Sequence, residues 1–153
     1  MKKVSPRTLR RVMNLWPPFL FSGIRVLEIS ADWRYVRVVL RRHWYNRNFV
    51  GTHFGGSLFA MTDPFWMIPT LECLGSEYIV WDKAAEIEFV APGRSDVFAE
   101  FRIDDATLDE IRAATASGEK YLRWFDTEVR SGDGELIARV RKQLYVRRKP
   151  AAR

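Results

Sequence analysis

The sequence predicts an α+β fold in which an antiparallel sheet curls around one long central helix. Strand-like stretches lie on both sides of a single long apolar segment, residues 55–74. That segment is apolar nearly all round, which is typical of a helix enclosed by other elements. The chain has 153 residues, of which 47% are hydrophobic, and this fits one domain with one core.

Each element follows from a local pattern along the chain. Ser5-Pro6 forms a helix cap and first turn, and Pro17-Pro18 ends that first helix. Apolar alternation between turn residues predicts six strands, and an amphipathic stretch predicts a small helix. The strands are 24–29, 33–40, 78–90, 96–103, 120–130 and 135–147, and the small helix is 105–116. We expect one domain over 1–148 and a basic tail over 149–153.

The most informative stretch is the glycine-rich loop that runs directly into the apolar segment. Gly55 and Gly56 stand where the helix would begin, and glycine lets the backbone approach a ligand closely. Free N–H groups at a helix start favour a carbonyl oxygen, an oxyanion or a phosphate. Asp63 follows seven residues after Gly56. An oxyanion site beside a single acid is the minimum requirement for cleaving an acyl bond.

These residues resemble the pattern of hotdog-fold acyl-CoA thioesterases, in which an acid follows a glycine pair. The string Gly-Thr-His-Phe-Gly-Gly-Ser-Leu-Phe at 51–59, with Asp63-Pro64-Phe65 and Trp81-Asp82-Lys83 downstream, is similar to an uncharacterised subfamily of that superfamily. The resemblance covers most of the chain. It implies a hotdog fold, an acyl-CoA substrate, no cofactor and a homo-oligomer.

The resemblance makes Asp63 a general base or a nucleophile and the N–H groups of Gly56 and Ser57 oxyanion donors. From the residues alone, Asp63 is equally well explained as the cap of a second helical segment, because Asp-Pro is a strong helix start. Pro64 would also interrupt a continuing helix. In an unbroken helix Gly56, Asp63 and Thr70 share one face, so Thr70 is a candidate for ligand contact beside the acid.

The spacing of the glycine pair and the acid also predicts a shared site. Seven residues of helix separate Gly56 from Asp63 by about 10 Å. One thioester carbon cannot contact groups on both, so one of them would come from a second chain. We therefore expect at least a homodimer with its active site between protomers. Hotdog dimers often pair, which leaves a homotetramer open.

Several polar residues near the loop and the long strand are candidates for substrate contact. They are Asn48, Thr52, His53, Gly55, Thr70, Lys83 and Arg94. In the usual thioesterase pattern a histidine touches the glycine pair directly, whereas Phe54 intervenes here, so His53 would polarise a carbonyl or shape the pocket. Lys83 and Arg94 bracket the long strand and would hold the phosphates of coenzyme A. The alternative is that these cations belong to a solvated sheet face.

Composition and charge narrow the classes of partner. The net charge of +6 and the pI near 9.8 favour nucleotide phosphates, nucleic acid or an anionic membrane. The cations are spread along the chain without a motif, which argues against nucleic acid. Two histidines with the single Cys73 make no zinc cluster, so we expect no metal. A lone cysteine and the lack of a transmembrane span predict a cytoplasmic protein.

The chain is rich in aromatic residues, with six Trp, ten Phe and five Tyr. This content predicts a thick core, a self-association surface or an apolar ligand pocket. If the aromatic-rich helix lines an acyl tunnel, a medium-chain, long-chain or aryl acyl group is favoured over acetyl. The leading hypothesis is hydrolysis of such an acyl-CoA. The alternative is a non-catalytic acyl-CoA or acyl-carrier binding module of the same fold.

Overall fold

The computed structural model describes residues 4–150 and contains one antiparallel sheet of six strands. The strands are β1 (Ile24–Ile29), β2 (Tyr35–Leu40), β3 (Tyr78–Phe89), β4 (Val97–Arg102), β5 (Tyr121–Ser131) and β6 (Leu136–Arg148). Their order across the sheet is β1-β2-β4-β5-β6-β3. The helices are α1 (Pro6–Leu15), α2 (Pro17–Ser22), α3 (Gly55–Ala60), α4 (Met67–Leu74) and α5 (Asp105–Ala114), with a 3-10 turn at Asp63–Phe65.

The central helical segment, 55–74, consists of α3, the 3-10 turn and α4 in succession. Pro64 explains the interruption, because proline has no N–H to donate and its ring excludes the carbonyl of the preceding turn. Leu58, Met61 and Phe65 are buried in the main core along this segment. The predicted α+β hotdog fold, a sheet curled around a central helical segment, is confirmed, and its central helix is segmented at the proline.

The two outer strands of the sheet differ in what lies beside them. On β1, the Asn14 side chain of α1 accepts from the Val26 N–H at 2.7 Å and donates to the Val26 carbonyl at 3.0 Å. Arg10 donates to the Leu27 carbonyl at 2.9 Å. Side chains on the inner side of α1 thus bond the outward N–H and carbonyl groups of β1 with which a further strand would pair. Among the described strands, β3 pairs with β6 alone and forms the other edge.

The predicted basic tail begins with an anchored residue. The Lys149 N–H donates to the Glu77 carbonyl at 2.8 Å, and its Nζ donates to the Ser76 carbonyl at 2.7 Å. Residues 151–153 of that predicted tail lie outside the described residues. None of the described helices has the length and apolar character that crossing a membrane requires.

Candidate active site

Asp63, the acid that the sequence singles out, forms an ion pair instead of a helix cap. Its Oδ1 atom accepts a hydrogen bond from Nζ of Lys142 at 2.6 Å. The N-cap residues of the 3-10 turn and of α4 are Thr62 and Trp66, and neither helix start has a side-chain capping bond. The structure therefore contradicts the capping explanation of Asp63. The carboxylate is 64% exposed, so water or a ligand can reach it.

Lys142 is the buried partner of Asp63, with a side chain only 2% exposed. It lies on the inner face of β6, between the buried side chains of Val140 and Leu144. A buried ammonium group is unfavourable unless opposite charges compensate it. Two carboxylates do so here, because Oδ2 of Asp82 lies 3.4 Å from the same Nζ. We call Asp63, Lys142 and Asp82 the acid–lysine cluster.

Asp82 belongs to the inner face of β3 and is followed directly by a bulge. In the pairing of β3 with β6, Asp82 is opposite Leu144 and Ala84 is opposite Gln143. Lys83 is therefore an extra residue in β3, and such a residue re-aims the side chains beside it. Asp82 shares the inner face of the sheet with the buried Val80, two residues earlier, and lies opposite a buried leucine.

The acid–lysine cluster holds one cation between two acids. Burial raises the pKa of Asp82 above its ordinary value of 3.8, the charge of Lys142 opposes this shift, and the charge of Asp63 adds to it. Of the two carboxylate oxygens of Asp63, Oδ1 accepts a hydrogen bond and Oδ2 makes none with the described residues. The lysine thus fixes the carboxylate through one oxygen and leaves the other available for chemistry.

Gly55 and Gly56 each lie against an aromatic ring. A Cβ added at Gly55 would lie 2.9 Å from the Phe89 ring, and one added at Gly56 would collide with the Phe54 ring. The Ser57 N–H donates to the Phe54 carbonyl at 3.0 Å, which contradicts the prediction that Ser57 is a free oxyanion donor. The Gly56 N–H makes no hydrogen bond among the described residues, so it stays a candidate.

Asn48 organises the loop that precedes α3. Its Oδ1 accepts from the Thr52 N–H at 2.9 Å, and its Nδ2 donates to the Thr52 hydroxyl at 2.8 Å and to the His53 carbonyl at 3.2 Å. The polar atoms predicted to bind substrate are thus used to shape the loop. A pocket of about 340 Å³, the glycine-loop pocket, lies beside them. Its lining includes Asn48, Thr52, His53, Gly55, Leu58, Phe89, Val90 and Gly93.

His53 connects this loop to the turn after β3. Its Nε2 lies 2.7 Å from the Ser95 carbonyl oxygen, and its backbone N–H donates to the Gly93 carbonyl at 2.9 Å. A carbonyl only accepts, so Nε2 carries the proton and Nδ1 is the acceptor. Burial lowers the pKa of His53, which favours the neutral ring. Nδ1 is buried without a partner among the described residues. The Nε2 bond is thus the side-chain contact by which His53 ties the loop to the turn after β3.

The structure does not bring Thr70 to Asp63. Thr70 is fully buried on α4, whereas Asp63 is exposed on the 3-10 turn, so the break in the helix removes their predicted common face. Lys83 and Arg94 are both exposed. Arg94 follows Gly93, which lines the glycine-loop pocket, and Lys83 is the bulge residue beside the acid–lysine cluster.

Sequence reasoning missed Lys142 and Asp82 as parts of the site. A signal for the lysine exists, because strand alternation puts it on the same face of β6 as Val140 and Leu144. It is a single cation on an otherwise apolar face. Alternation from Tyr78 and Val80 likewise puts Asp82 on that face, although nothing in the sequence pairs it with Lys142. The contact of Asp63 with Lys142 joins residues 79 positions apart, and only the packing of the 3-10 turn on β6 reveals it.

The chain belongs to the family described as a domain of unknown function, DUF4442, whose model matches residues 6–146. No match was found among curated protein sequences.

Solved structures share the fold. A Pseudomonas aeruginosa protein of unknown function, a probable thioesterase, has a TM-score of 0.82 at 20% identity, over 95% of this chain and 97% of that one. A Haemophilus influenzae thioesterase has a TM-score of 0.68 at 14% identity, over 96% and 93%. The E. coli PaaI protein from the phenylacetic acid degradation operon has a TM-score of 0.58 at 15% identity, over 92% and 90%. At these identities the likeness establishes the fold.

Proposed function

We propose that this protein hydrolyses the thioester bond of an acyl-CoA at a site shared between two protomers. The observation that carries the proposal is the exposed Asp63 carboxylate, held through one oxygen by the buried Lys142. A fixed, accessible carboxylate near glycine backbone donors is the combination that acyl transfer requires. The fold shared with a solved thioesterase supports the same reaction.

Asp63 acts in one of two ways. As a general base, its Oδ2 takes a proton from a water molecule, and the oxygen of that water attacks the thioester carbonyl carbon. As a nucleophile, Oδ2 attacks that carbon itself, and water then hydrolyses the acyl anhydride. In both routes coenzyme A leaves as a thiolate that takes up a proton. The products are a carboxylic acid and free coenzyme A.

The other groups of the site position the substrate and stabilise charge. The Gly56 N–H of a second protomer donates to the oxyanion that forms at the carbonyl. The apolar wall of the glycine-loop pocket, with Leu58 and Phe89, faces a medium-chain, long-chain or aryl acyl group. Arg94 and Lys83 hold the phosphates of coenzyme A. We place the reaction in the cytoplasm, and a homodimer, with a homotetramer open, is the assembly it needs.

The first test is release of free thiol from a panel of acyl-CoAs of increasing length. We expect turnover on at least one member, and we expect Asp63→Asn to lower it by about a thousandfold or more. Asp126→Asn is the matched control, because Asp126 is an exposed strand acid paired with Arg141 at 3.2 Å. Equal turnover in wild type and Asp63→Asn would remove Asp63 from the mechanism.

The shared site has its own test by subunit mixing. Gly56→Ala places a Cβ against the Phe54 ring and should disable the oxyanion loop. If Asp63 and Gly56 of one site come from different protomers, a mixed dimer of Asp63→Asn and Gly56→Ala chains retains one intact site. Activity that reappears on mixing the two inactive variants supports the shared site. No recovery, despite subunit exchange, places both residues in the same protomer.

A non-catalytic acyl-CoA or acyl-carrier binding module is the second candidate. The ion pair at 2.6 Å favours it, because the ammonium group already occupies one oxygen of the Asp63 carboxylate. This function predicts saturable acyl-CoA binding without thiol release, and it predicts that Asp63→Asn binds as wild type does. The acyl-CoA panel therefore separates the two candidates.

A further inference from the structure

The net charge of the chain lies entirely in its first 27 residues. These contain six basic residues and no acid, the first acid being Glu28. The whole chain has 25 basic and 19 acidic residues, so residues 28–153 contain 19 of each and are neutral. A net charge of +6 concentrated in one segment gives that segment a strong field, whereas the rest of the protein has none overall.

The described part of this segment is a helical pair that buries one side and exposes apolar residues on the other. Met13 of α1 and Phe19 of α2 are buried. Two residues along a helix is about half a turn, so Leu15 and Phe21 point away from the domain. They are 70% and 73% exposed. Exposed apolar side chains here thus follow from the helical pattern and not from loose packing.

Cations flank these exposed apolar residues. Arg7 and Arg11 are exposed on α1, and Val12 and Trp16 are exposed beside them. The remaining described cations of the segment face inward, since Arg10 donates to the Leu27 carbonyl and Arg25 donates to the Asn14 carbonyl. We define the N-terminal surface as Arg7, Arg11, Val12, Leu15, Trp16 and Phe21.

We propose that the N-terminal surface binds an anionic phospholipid bilayer. An amphipathic helix with Arg on its polar side and Trp, Phe and Leu on its apolar side lies in the plane of the membrane interface. Arginine is attracted to anionic head groups, and tryptophan is favoured at the boundary between head groups and acyl chains. The hydrogen bonds of Asn14 and Arg10 to β1 fix α1 to the domain, so its outer side is presented rigidly.

Charge favours this occupant over a second copy of the chain. A symmetric contact between two N-terminal surfaces would bring identical cations together without an acid to pair them. An anionic bilayer supplies both the missing negative charge and an apolar phase. The inference does not depend on thioester hydrolysis, and its test measures binding alone.

The test is sedimentation of the full chain with vesicles of phosphatidylcholine alone or of phosphatidylcholine mixed with phosphatidylglycerol. We expect binding to the mixed vesicles that weakens as salt is added, and little binding to phosphatidylcholine. Arg7→Gln with Arg11→Gln should weaken binding by about thirtyfold. Leu15→Ser with Phe21→Ser should weaken it by about tenfold or more.

Matched changes elsewhere are the controls. Arg112→Gln with Lys120→Gln removes two exposed cations from the α5 region, and Leu122→Ser removes an exposed leucine from β5. Both controls should bind vesicles as wild type does. Circular dichroism verifies that every variant is folded.

Four outcomes overturn the proposal. The first three are absence of binding to mixed vesicles, equal binding by wild type and both N-terminal variants, and equal loss in the controls. The fourth combines two results. Wild type does not bind vesicles, and light scattering gives the Leu15→Ser, Phe21→Ser variant a lower oligomer mass than wild type. This combination would show that the surface joins two copies of the chain.

Discussion

Two neighbouring residues of β6, Arg141 and Lys142, have the same kind of partners on opposite faces of the sheet. On the outer face, Arg141 lies 3.5 Å from Glu86 and 3.2 Å from Asp126. On the inner face, Lys142 lies between Asp63 and Asp82. The difference is solvent, since the arginine side chain is 50% exposed and that of the lysine is 2% exposed.

This difference decides what each cation does. Water screens the outer pairs, so they contribute little individually. The guanidinium of Arg141 also rests on the Trp124 ring at 4.8 Å, which makes it part of a solvated cover over the outer face. The inner ammonium has almost no water and depends on its carboxylates. A buried cation that holds an exposed acid is an arrangement suited to chemistry, whereas the outer pairs suit solubility.

The largest expected effect is on turnover. Lys142→Met should lower kcat for thiol release by about a hundredfold, because Asp63 loses the charged hydrogen bond that orients it. Arg141→Met should change kcat by less than about twofold. KM should change little in either variant, because neither cation is placed against the substrate. Thiol release measured over a range of pH checks this prediction. If Lys142 has only a structural role, the residual activity of Lys142→Met will have the same pH profile as wild type.

Equal losses in Lys142→Met and Arg141→Met would break the comparison. If Lys142→Met does not fold, Lys142→Arg supplies the test. Arginine keeps the charge and should recover part of the turnover if charge and orientation matter. If Lys142→Arg is folded and as inactive as Lys142→Met, the lysine does not act by holding the acid.

Sequence patterns were sufficient for the fold because each element depends on local chemistry. Ser5 accepts from the Thr8 N–H as the cap of α1, and the predicted strands recur within a few residues of their expected bounds. The chemistry of the site depends instead on contacts distant in sequence. The spacing to Gly56 points to Asp63, but its contact with Lys142 depends on packing, and so does the contact of Asp82 with the same lysine.

A smaller effect concerns the pH dependence of stability. Burial raises the pKa of Asp82, so the folded protein keeps this proton at pH values where the unfolded chain has released it. The free energy of unfolding should therefore fall as the pH rises from the ordinary value of 3.8 through the folded pKa. Asp82→Asn stays neutral and lacks this loss, so its stability relative to wild type should grow from acid towards neutral pH.

Urea unfolding at several pH values measures this difference. Asp126→Asn is the outer-face control, and its curve against pH should run parallel to that of wild type. Parallel curves for Asp82→Asn and wild type would show that burial does not raise the pKa of Asp82.

The smallest effect is expected on the outer face, and it tests the statement that water screens these pairs. Arg139 lies 3.2 Å from Glu88 with its side chain 52% exposed. Arg139→Gln and Arg141→Gln should each change the free energy of unfolding by about 0.5 kcal/mol or less, because exposed ion pairs contribute little. Added salt should shrink even that difference, since the charges lie in solvent. Urea unfolding at low and high salt measures it.

A loss of several kcal/mol in either variant, insensitive to salt, would mean that the outer face is covered in solution. The contrast along β6 would then reflect an assembly that the isolated sheet does not contain.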